Sequence, residues 1–251
     1  MAQGWLIFRH SFNLLMENLE QAFRLSLLLY LVQSSYVIYV FFNPPQTTEM
    51  EGMQVMVTAP EDMLPTVFFG FIAIVGSVWI AVAWHRFALN GEVTRGWLPE
   101  FRGSLILGYL GRSILIGALV IFGVIVLSIP ISIIAIGLPG LAGLMTLIMI
   151  GAGAYFFFRL GIMLPAAAVG EHLTLADAWD ATSGKSDTIL TLALIVVGGS
   201  VVIQLPSQFN DAPDSTITLV YTLVVNWFAT IIGISVLTTL YGHYVEERPI
   251  N

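Results

Sequence analysis

The feature that most constrains this chain is a set of five long stretches without a single aspartate, glutamate, lysine or arginine. They cover residues 25–48, 63–84, 113–158, 188–210 and 215–245. An unpaired charge in the middle of a bilayer costs at least a few kcal/mol, and a helix needs about 20 apolar residues to cross one. Four of the stretches therefore predict one membrane-spanning helix each, and the stretch 113–158 is long enough for two.

Residues suited to a turn divide the long stretch in two. Proline removes a backbone N–H and glycine tolerates a left-handed backbone. The residues concerned are Pro130, Gly137, Pro139 and Gly140. We therefore predict an all-α, polytopic membrane protein with six transmembrane helices, forming a single domain over residues 1–251. The predicted spans are approximately 22–42, 65–86, 110–130, 141–160, 188–206 and 217–241.

The overall composition agrees with a membrane protein and excludes other classes. The chain is 57% hydrophobic and only 10% charged, with a mean hydropathy of +0.87. Soluble domains carry about 25% charged residues, so an ordinary globular enzyme is excluded. The absence of cysteine excludes disulfides and thiolate metal sites. A net charge of −7 argues against a nucleic-acid partner, because phosphate binding needs basic clusters.

The basic residues predict how the chain is threaded. If the N-terminus is placed inside and six spans are counted, all nine lysine and arginine residues fall on the inner side. The charged residues on the outer side are all acidic. The nine basic residues are Arg9, Arg24, Arg86, Arg95, Arg102, Arg112, Arg159, Lys185 and Arg248. Cytoplasmic loops are enriched in lysine and arginine. We therefore expect a bacterial inner-membrane protein with both termini in the cytoplasm. The outer segments 43–64 and 206–216 are expected to be extended, solvated loops.

Two amphipathic segments are predicted at the cytoplasmic surface. In residues 4–20, Trp5, Phe8, Phe12, Leu15 and Leu19 recur at helical spacing, which predicts a surface helix with this stripe facing lipid. In residues 165–187, Thr174 and Asp177 have the spacing of a capping box, and Gly184 follows as a stop. This pattern predicts a short interfacial helix.

Aromatic and basic residues near the inner ends of the spans are expected to anchor the protein to lipid headgroups. The predicted interface residues are Trp5, Arg24, Trp84, Arg86, Trp97, Arg102, Arg112, Arg159 and Trp179.

A polar stripe runs along the sixth span. Thr218, Thr222, Asn226 and Thr230 recur at every fourth residue. Such a stripe either lines a path for a substrate or water, or hydrogen-bonds to a neighbouring helix, and the second interpretation is favoured. Gln33, Ser34 and Ser35 of the first span are the expected partners.

No motif in the sequence predicts catalysis. Gly184-Lys185-Ser186 lacks the earlier glycine and the strand of a phosphate-binding loop. The four histidines (10, 85, 172 and 243) are scattered, and no nucleophile elbow is present. We expect no enzymatic activity, no metal and no cofactor. An intramembrane enzyme would need His85, His172 and His243 to gather near Glu171.

One segment resembles a known family. Arg159 is followed by Pro165, then Glu171, then a short helix with Ala178, Thr182 and Gly184 in the pattern A-x-x-x-[ST]-x-G. This is similar to membrane domains of the glycerophosphoryl diester phosphodiesterase type and to related polytopic families of alphaproteobacteria. The resemblance covers about 30 residues and implies a six-span membrane domain. The catalytic domain found in some members has no counterpart here, so the resemblance implies no hydrolysis.

Together these patterns predict a structural or accessory membrane protein. Its expected partners are membrane lipids and other integral membrane subunits, and nucleic acid is not among them. The alternative is a small-molecule or lipid transporter, or a channel, that uses the polar stripe of the sixth span. In that case Asn226→Leu would abolish a flux, whereas a packing role would make the same change affect stability.

Overall fold

The computed structural model describes residues 2–50, 53–208 and 215–250. Within them the chain forms nine α-helices and a two-stranded hairpin, and no other regular element except a 3-10 turn at Pro139–Leu141. In chain order the elements are α1 (Ala2–Glu17), α2 (Leu19–Phe42), β1 (Gln46–Met50), β2 (Met53–Val57), α3 (Pro60–Asn90), α4 (Gly103–Gly137), α5 (Ala142–Gly161), α6 (Met163–Val169), α7 (Leu175–Ala181), α8 (Ser186–Gln208) and α9 (Thr216–Tyr244).

Six helices are long and apolar enough to cross a membrane, which confirms the predicted all-α polytopic fold. They are α2, α3, α4, α5 (continued by α6), α8 and α9, and each predicted span falls on one of them to within a residue. The helices are longer than predicted. Pro130, expected in a turn, lies inside α4, which continues to Gly137, and the turn is made by Pro139–Leu141. A transmembrane helix can contain a proline, although the proline lacks the N–H for one backbone hydrogen bond.

The first outer segment is more ordered than the predicted extended loop. Its strands pair antiparallel, with Gln46 opposite Val57 and Met50 opposite Met53. Residues 51–52 between them lie outside the described residues. The second predicted loop, 206–216, overlaps the end of α8 and the start of α9, and its centre at 209–214 is also outside the described part of the chain.

Helix α1 packs against other helices of the bundle, so only part of its apolar stripe can face lipid. Ile7 and Ser11 are fully buried against α8 and α9, and Leu15 is fully buried in a cluster with residues of α2, α3 and α9. Gly4 permits the close approach, because a Cβ atom there would lie 2.9 Å from the carbonyl oxygen of Thr188. The prediction that Leu15 faces lipid is therefore wrong. An amphipathic pattern shows which face is covered but not whether protein or lipid covers it.

Trp5 and Phe12 form the exposed remainder of the α1 stripe. The predicted single segment 4–20 is also interrupted, because α1 ends at Glu17 and α2 begins at Leu19 on the other side of Asn18. The side chain of Asn18 donates to the carbonyl oxygen of Leu14 at 2.8 Å. This bond satisfies one of the carbonyl groups that a helix end leaves without a partner.

The ends at which α2, α4 and α8 begin and α3, α5 and α9 end meet on one side of the bundle, which we call the basic end. Arg24 at the start of α2 donates to the backbone carbonyl of Arg95 beyond α3 at 3.0 Å. Arg248 beyond α9 donates to the carbonyl of Leu89 in α3 at 2.8 Å. The largest buried hydrophobic cluster, which includes α6, lies in this half of the bundle.

Candidate functional site: the basic end and an intramembrane groove

Arg86 is neutralised inside the protein. Only 8% exposed, it donates through Nε to Glu92 at 2.8 Å, through Nη2 to the same carboxylate, and through Nη1 to the carbonyl of Ala168 at 3.1 Å. The hydrogen bond from Arg86 lowers the pKa of Glu92, and the charge of Arg102 adds to the effect. Arg102 also pairs with Glu100 at 2.9 Å. These two predicted headgroup residues therefore already have carboxylate partners.

A cavity of about 430 Å³ opens beside this cluster. Its lining combines the two ion-paired arginines with Arg95, Glu92 and Glu100. Because acids line it together with bases, the cavity has no strong preference for an anion.

Arg159 is arranged differently. It is 7% exposed, and its guanidinium carbon lies 3.7 Å from the ring centroid of Trp179. Nε donates to the hydroxyl oxygen of Thr182 at 3.2 Å, and Nη2 donates to the carbonyl oxygen of Trp179 at 3.1 Å. Nη1 lies 3.4 Å from the hydroxyl oxygen of Tyr155. All of these acceptors are uncharged, and within the described residues Arg159 has no carboxylate within salt-bridge distance.

The capping box of α7 holds two of these partners in place. The backbone N–H of Asp177 donates to Thr174 Oγ1 at 3.2 Å, and the backbone N–H of Thr174 donates to Asp177 Oδ2 at 2.9 Å. The sequence-predicted capping box is thereby confirmed. Gly184 follows with a left-handed backbone, φ +69°, as a helix stop requires. Helix α7 thus presents Trp179 and Thr182 to the guanidinium of Arg159.

The other predicted interface residues are not gathered into one site. Trp5, Trp97 and Trp179 are exposed, and Arg24 is half-buried in a pair with Glu20. Arg112 lies along the first turns of α4, beside Gly108. Trp84 has no exposed surface at all, and it packs in a second buried cluster between α2, α3 and α9. Its position at a helix end suggested a headgroup anchor, but the neighbouring helices cover it.

Hydrogen bonding to a neighbouring helix was the favoured interpretation of the polar stripe of α9. Within the described residues, Thr222, Asn226 and Thr230 make no such bond. Thr218 instead takes part in the N-cap of its own helix, donating its backbone N–H to Ser215 Oγ at 3.2 Å. Thr222 and Asn226 line a cavity of about 340 Å³ between α8 and α9, and Thr230 lines an apolar one of about 530 Å³ near α5.

Asn226 also borders a second cavity, of about 480 Å³, which we call the α2–α3–α9 groove. The other polar residues in its lining are Tyr30, Gln33, Ser34, Tyr36, Thr66 and Ser77. Gln33 and Ser34 are therefore near Asn226, as the sequence suggested, but they share a groove with it and form no direct bond. Ser35, the third expected partner, donates to the carbonyl of Val32 in its own helix.

His85 is completely buried, and both of its ring nitrogens face hydroxyl groups. The hydroxyl of Thr238 donates to the carbonyl of Ile234 at 2.9 Å. His85 Nδ1 lies 2.7 Å from that hydroxyl oxygen. On the other side of the ring, Nε2 lies 3.4 Å from the hydroxyl oxygen of Tyr109. His243 contacts Gln3 instead, and the described residues contain no group of three or more metal-ligating side chains.

Some residues of these sites carry no signal in the sequence. Tyr30, Ser77 and Gly70 border the α2–α3–α9 groove only because α2 and α3 lie side by side, and no short spacing signals that. The contact between Arg159 and Thr182 has a signal in the sequence, since Arg159 and the A-x-x-x-[ST]-x-G pattern that contains Thr182 lie in one patterned segment.

No protein-family model, no curated protein and no solved structure matches this chain.

Proposed function

We propose that this chain is a non-enzymatic, structural or accessory protein of the bacterial inner membrane, with both termini in the cytoplasm. In this proposal its basic end binds the phosphate of anionic lipid headgroups, and the single observation that carries it is the environment of Arg159. Other integral membrane subunits would contact the exposed apolar helix faces.

The electrostatics of Arg159 support an anionic ligand. A nearly buried guanidinium surrounded only by neutral acceptors is costly, because burial removes water without supplying a counter-charge. Arginine has five N–H donors, and the three contacts to Thr182, Trp179 and Tyr155 leave two for a ligand. A phosphate matches the planar fork of donors and supplies the missing charge. Stacking on Trp179 fixes the plane of the fork.

The position of the site supports a lipid as the source of the phosphate. Arg159 lies in the last turn of α5, and Trp179 next to it is 42% exposed. Tryptophan is enriched at headgroup level, where one side of the ring is apolar and the other is wet. The gathering of basic residues at this end favours the cytoplasmic leaflet.

Lipid retention by the purified protein tests the proposal. The protein is reconstituted in nanodiscs containing phosphatidylglycerol and phosphatidylcholine, and bound lipids are counted by native mass spectrometry. Arg159→Gln should weaken phosphatidylglycerol binding about tenfold, which is the value of one charge-assisted contact. Arg159→Lys should retain part of it, because the charge stays and the fork is lost.

Arg24→Gln is the matched control, since Arg24 is at the same end but already pairs with Glu20 at 2.8 Å. It should leave retention unchanged. Equal phosphatidylglycerol retention by the parent protein and Arg159→Gln, with both correctly folded, would rule out the proposed headgroup site. A fall in phosphatidylcholine retention of the same size would also contradict it, because the effect would then not depend on lipid charge.

A further inference from the structure

The α2–α3–α9 groove combines hydrogen-bonding groups with an absence of charge. Its lining carries two carboxamides and several hydroxyls, and none of its eleven lining residues is charged. A volume of about 480 Å³ lies within the range typical of small-molecule sites, which are mostly apolar with a few placed polar groups. Exposed Tyr36 and Ile74 at its edge leave it open at the lipid-facing surface of the bundle.

The inner end of the groove, where Gln33 and Ser77 lie, is deep in the membrane. Gln33 lies nine residues beyond Arg24 in α2, and Ser77 lies nine residues before Arg86 in α3. At a rise of 1.5 Å per residue both are about 14 Å from the basic end, close to the middle of a hydrocarbon core about 30 Å thick. A charged headgroup at this depth would be costly without a counter-ion, so the ligand that fits is uncharged.

The two carboxamides in the groove make no hydrogen bonds within the described residues. Gln33 Oε1 is enclosed by protein without any partner, and Asn226 is exposed at the groove wall. An unsatisfied buried amide oxygen costs about 1–3 kcal/mol. The last torsion of glutamine is broad, so the amide of Gln33 can turn towards a ligand without leaving its rotamer.

Both amides line the same groove, so a ligand in it meets a hydrogen-bond acceptor and a hydrogen-bond donor. The oxygen of Gln33 accepts, whereas the nitrogen of Asn226 donates. A hydroxyl both donates and accepts a hydrogen bond, whereas a ketone or an ester only accepts one. Gly70 leaves space in the groove beside the ring of Tyr36. A Cβ atom at this position would lie in contact with that ring, at 3.8 Å. The apolar lining residues Val37, Ala73 and Ile74 suit an alkyl chain.

We infer that the α2–α3–α9 groove binds the hydroxyl end of an uncharged lipid alcohol. Diacylglycerol and polyprenol share this chemistry. The site is independent of Arg159, which lies at the basic end on other helices.

Photo-crosslinking tests the inference on the full-length protein in nanodiscs. A diacylglycerol carrying a diazirine near its hydroxyl is the probe, and labelled peptides are mapped by mass spectrometry. Labelling should map to residues 30–37, 66–77 and 226, and unlabelled diacylglycerol should compete. If a polyprenol also competes, the site recognises the hydroxyl alone. If only diacylglycerol competes, the site also recognises the glycerol esters.

Triacylglycerol and the methyl ether of diacylglycerol are the decisive competitors, because they lack the hydroxyl. They should compete roughly three- to tenfold more weakly, the value of one to two membrane hydrogen bonds. Gln33→Leu and Asn226→Leu should each lower labelling by a similar factor. Ser35→Ala on α2 and Thr222→Val on α9 are matched controls outside the groove and should leave it unchanged.

Equal competition by the methyl ether, or labelling that maps elsewhere, would overturn the inference. So would full labelling of Gln33→Leu and Asn226→Leu. Arg159→Gln should leave this labelling unchanged whether or not the proposed headgroup site exists, so the two proposals fail separately.

Discussion

At the scale of single residues, Arg86 and Arg159 show two ways of keeping a nearly buried guanidinium. Arg86 is held by Glu92 and by the carbonyl of Ala168, so its charge is compensated inside the protein. Among the residues that the structure describes, the acceptors around Arg159 are all neutral. The first arrangement stabilises the fold, and the second leaves a charge for a ligand to compensate.

Replacing Glu92 by glutamine should destabilise the protein by about 1–2 kcal/mol, because Arg86 would lose its counter-ion while staying buried. The figure is below that of a fully buried pair, since Glu92 is partly exposed. The free energy of unfolding in detergent, measured with a denaturant, checks this. Glu246→Gln is the control, because it breaks the more exposed pair with Arg248 at the same end.

The same pair gives a pH dependence with a defined sign. The pKa of Glu92 is lowered in the folded state from its ordinary value of 4.5. Its contribution is therefore complete above that value and is lost as the pH falls through the folded pKa. The stability difference between the parent protein and Glu92→Gln should be constant from about pH 8 to pH 6 and should shrink below pH 4.5. A difference that grows on acidification would contradict this account of the pair.

At the scale of elements, the transmembrane helices could be predicted and the docking of the short ones could not. A charge-free apolar stretch has only one stable form in lipid, the helix, because every backbone group must be satisfied internally. Helix α7 was also predictable, since Thr174 and Asp177 cap it locally. Burial of Leu15 in α1 was not, because it depends on α2, α3 and α9 lying against that residue.

Helix α7 should depend strongly on its capping box, because seven residues form too few internal hydrogen bonds to hold a helix alone. Thr174→Ala should speed amide hydrogen exchange in residues 175–182. It should also weaken phosphatidylglycerol retention, since Trp179 and Thr182 would no longer be fixed beside Arg159. Thr174→Ser retains the hydroxyl and should restore both.

Protonation of Asp177 should have the same effect as Thr174→Ala. The hydrogen bonds from Thr174 lower the pKa of this carboxyl below its ordinary value of 3.8. The cap is therefore intact above that pH and is lost as the pH falls further. Exchange in α7 that is unaffected by Thr174→Ala, or equal in the alanine and serine variants, would show that the capping box does not hold the helix.

At the scale of the whole molecule, the sites were only partly predictable. The residues of the basic end were recognisable as arginine and tryptophan near helix ends, but Trp84 fits that description too and is buried between three helices. Which of them face a ligand depends on packing between distant segments. The α2–α3–α9 groove is likewise a property of three helices together, although its carboxamides, Gln33 and Asn226, were visible as costly polar groups within apolar stretches.

The proposed headgroup site depends on the orientation of the chain in the membrane, because Arg159 faces the cytoplasmic leaflet only if the basic end is cytoplasmic. The protein has no cysteine, so single cysteines can be introduced and labelled without background. Arg95→Cys and Lys185→Cys probe the basic end, and Glu61→Cys at the start of α3 probes the opposite end. A membrane-impermeant thiol reagent applied to intact spheroplasts should label position 61 and should reach positions 95 and 185 only after the membrane is opened. Labelling of position 95 or 185 in intact spheroplasts, or on the same side as position 61, would contradict the proposed orientation.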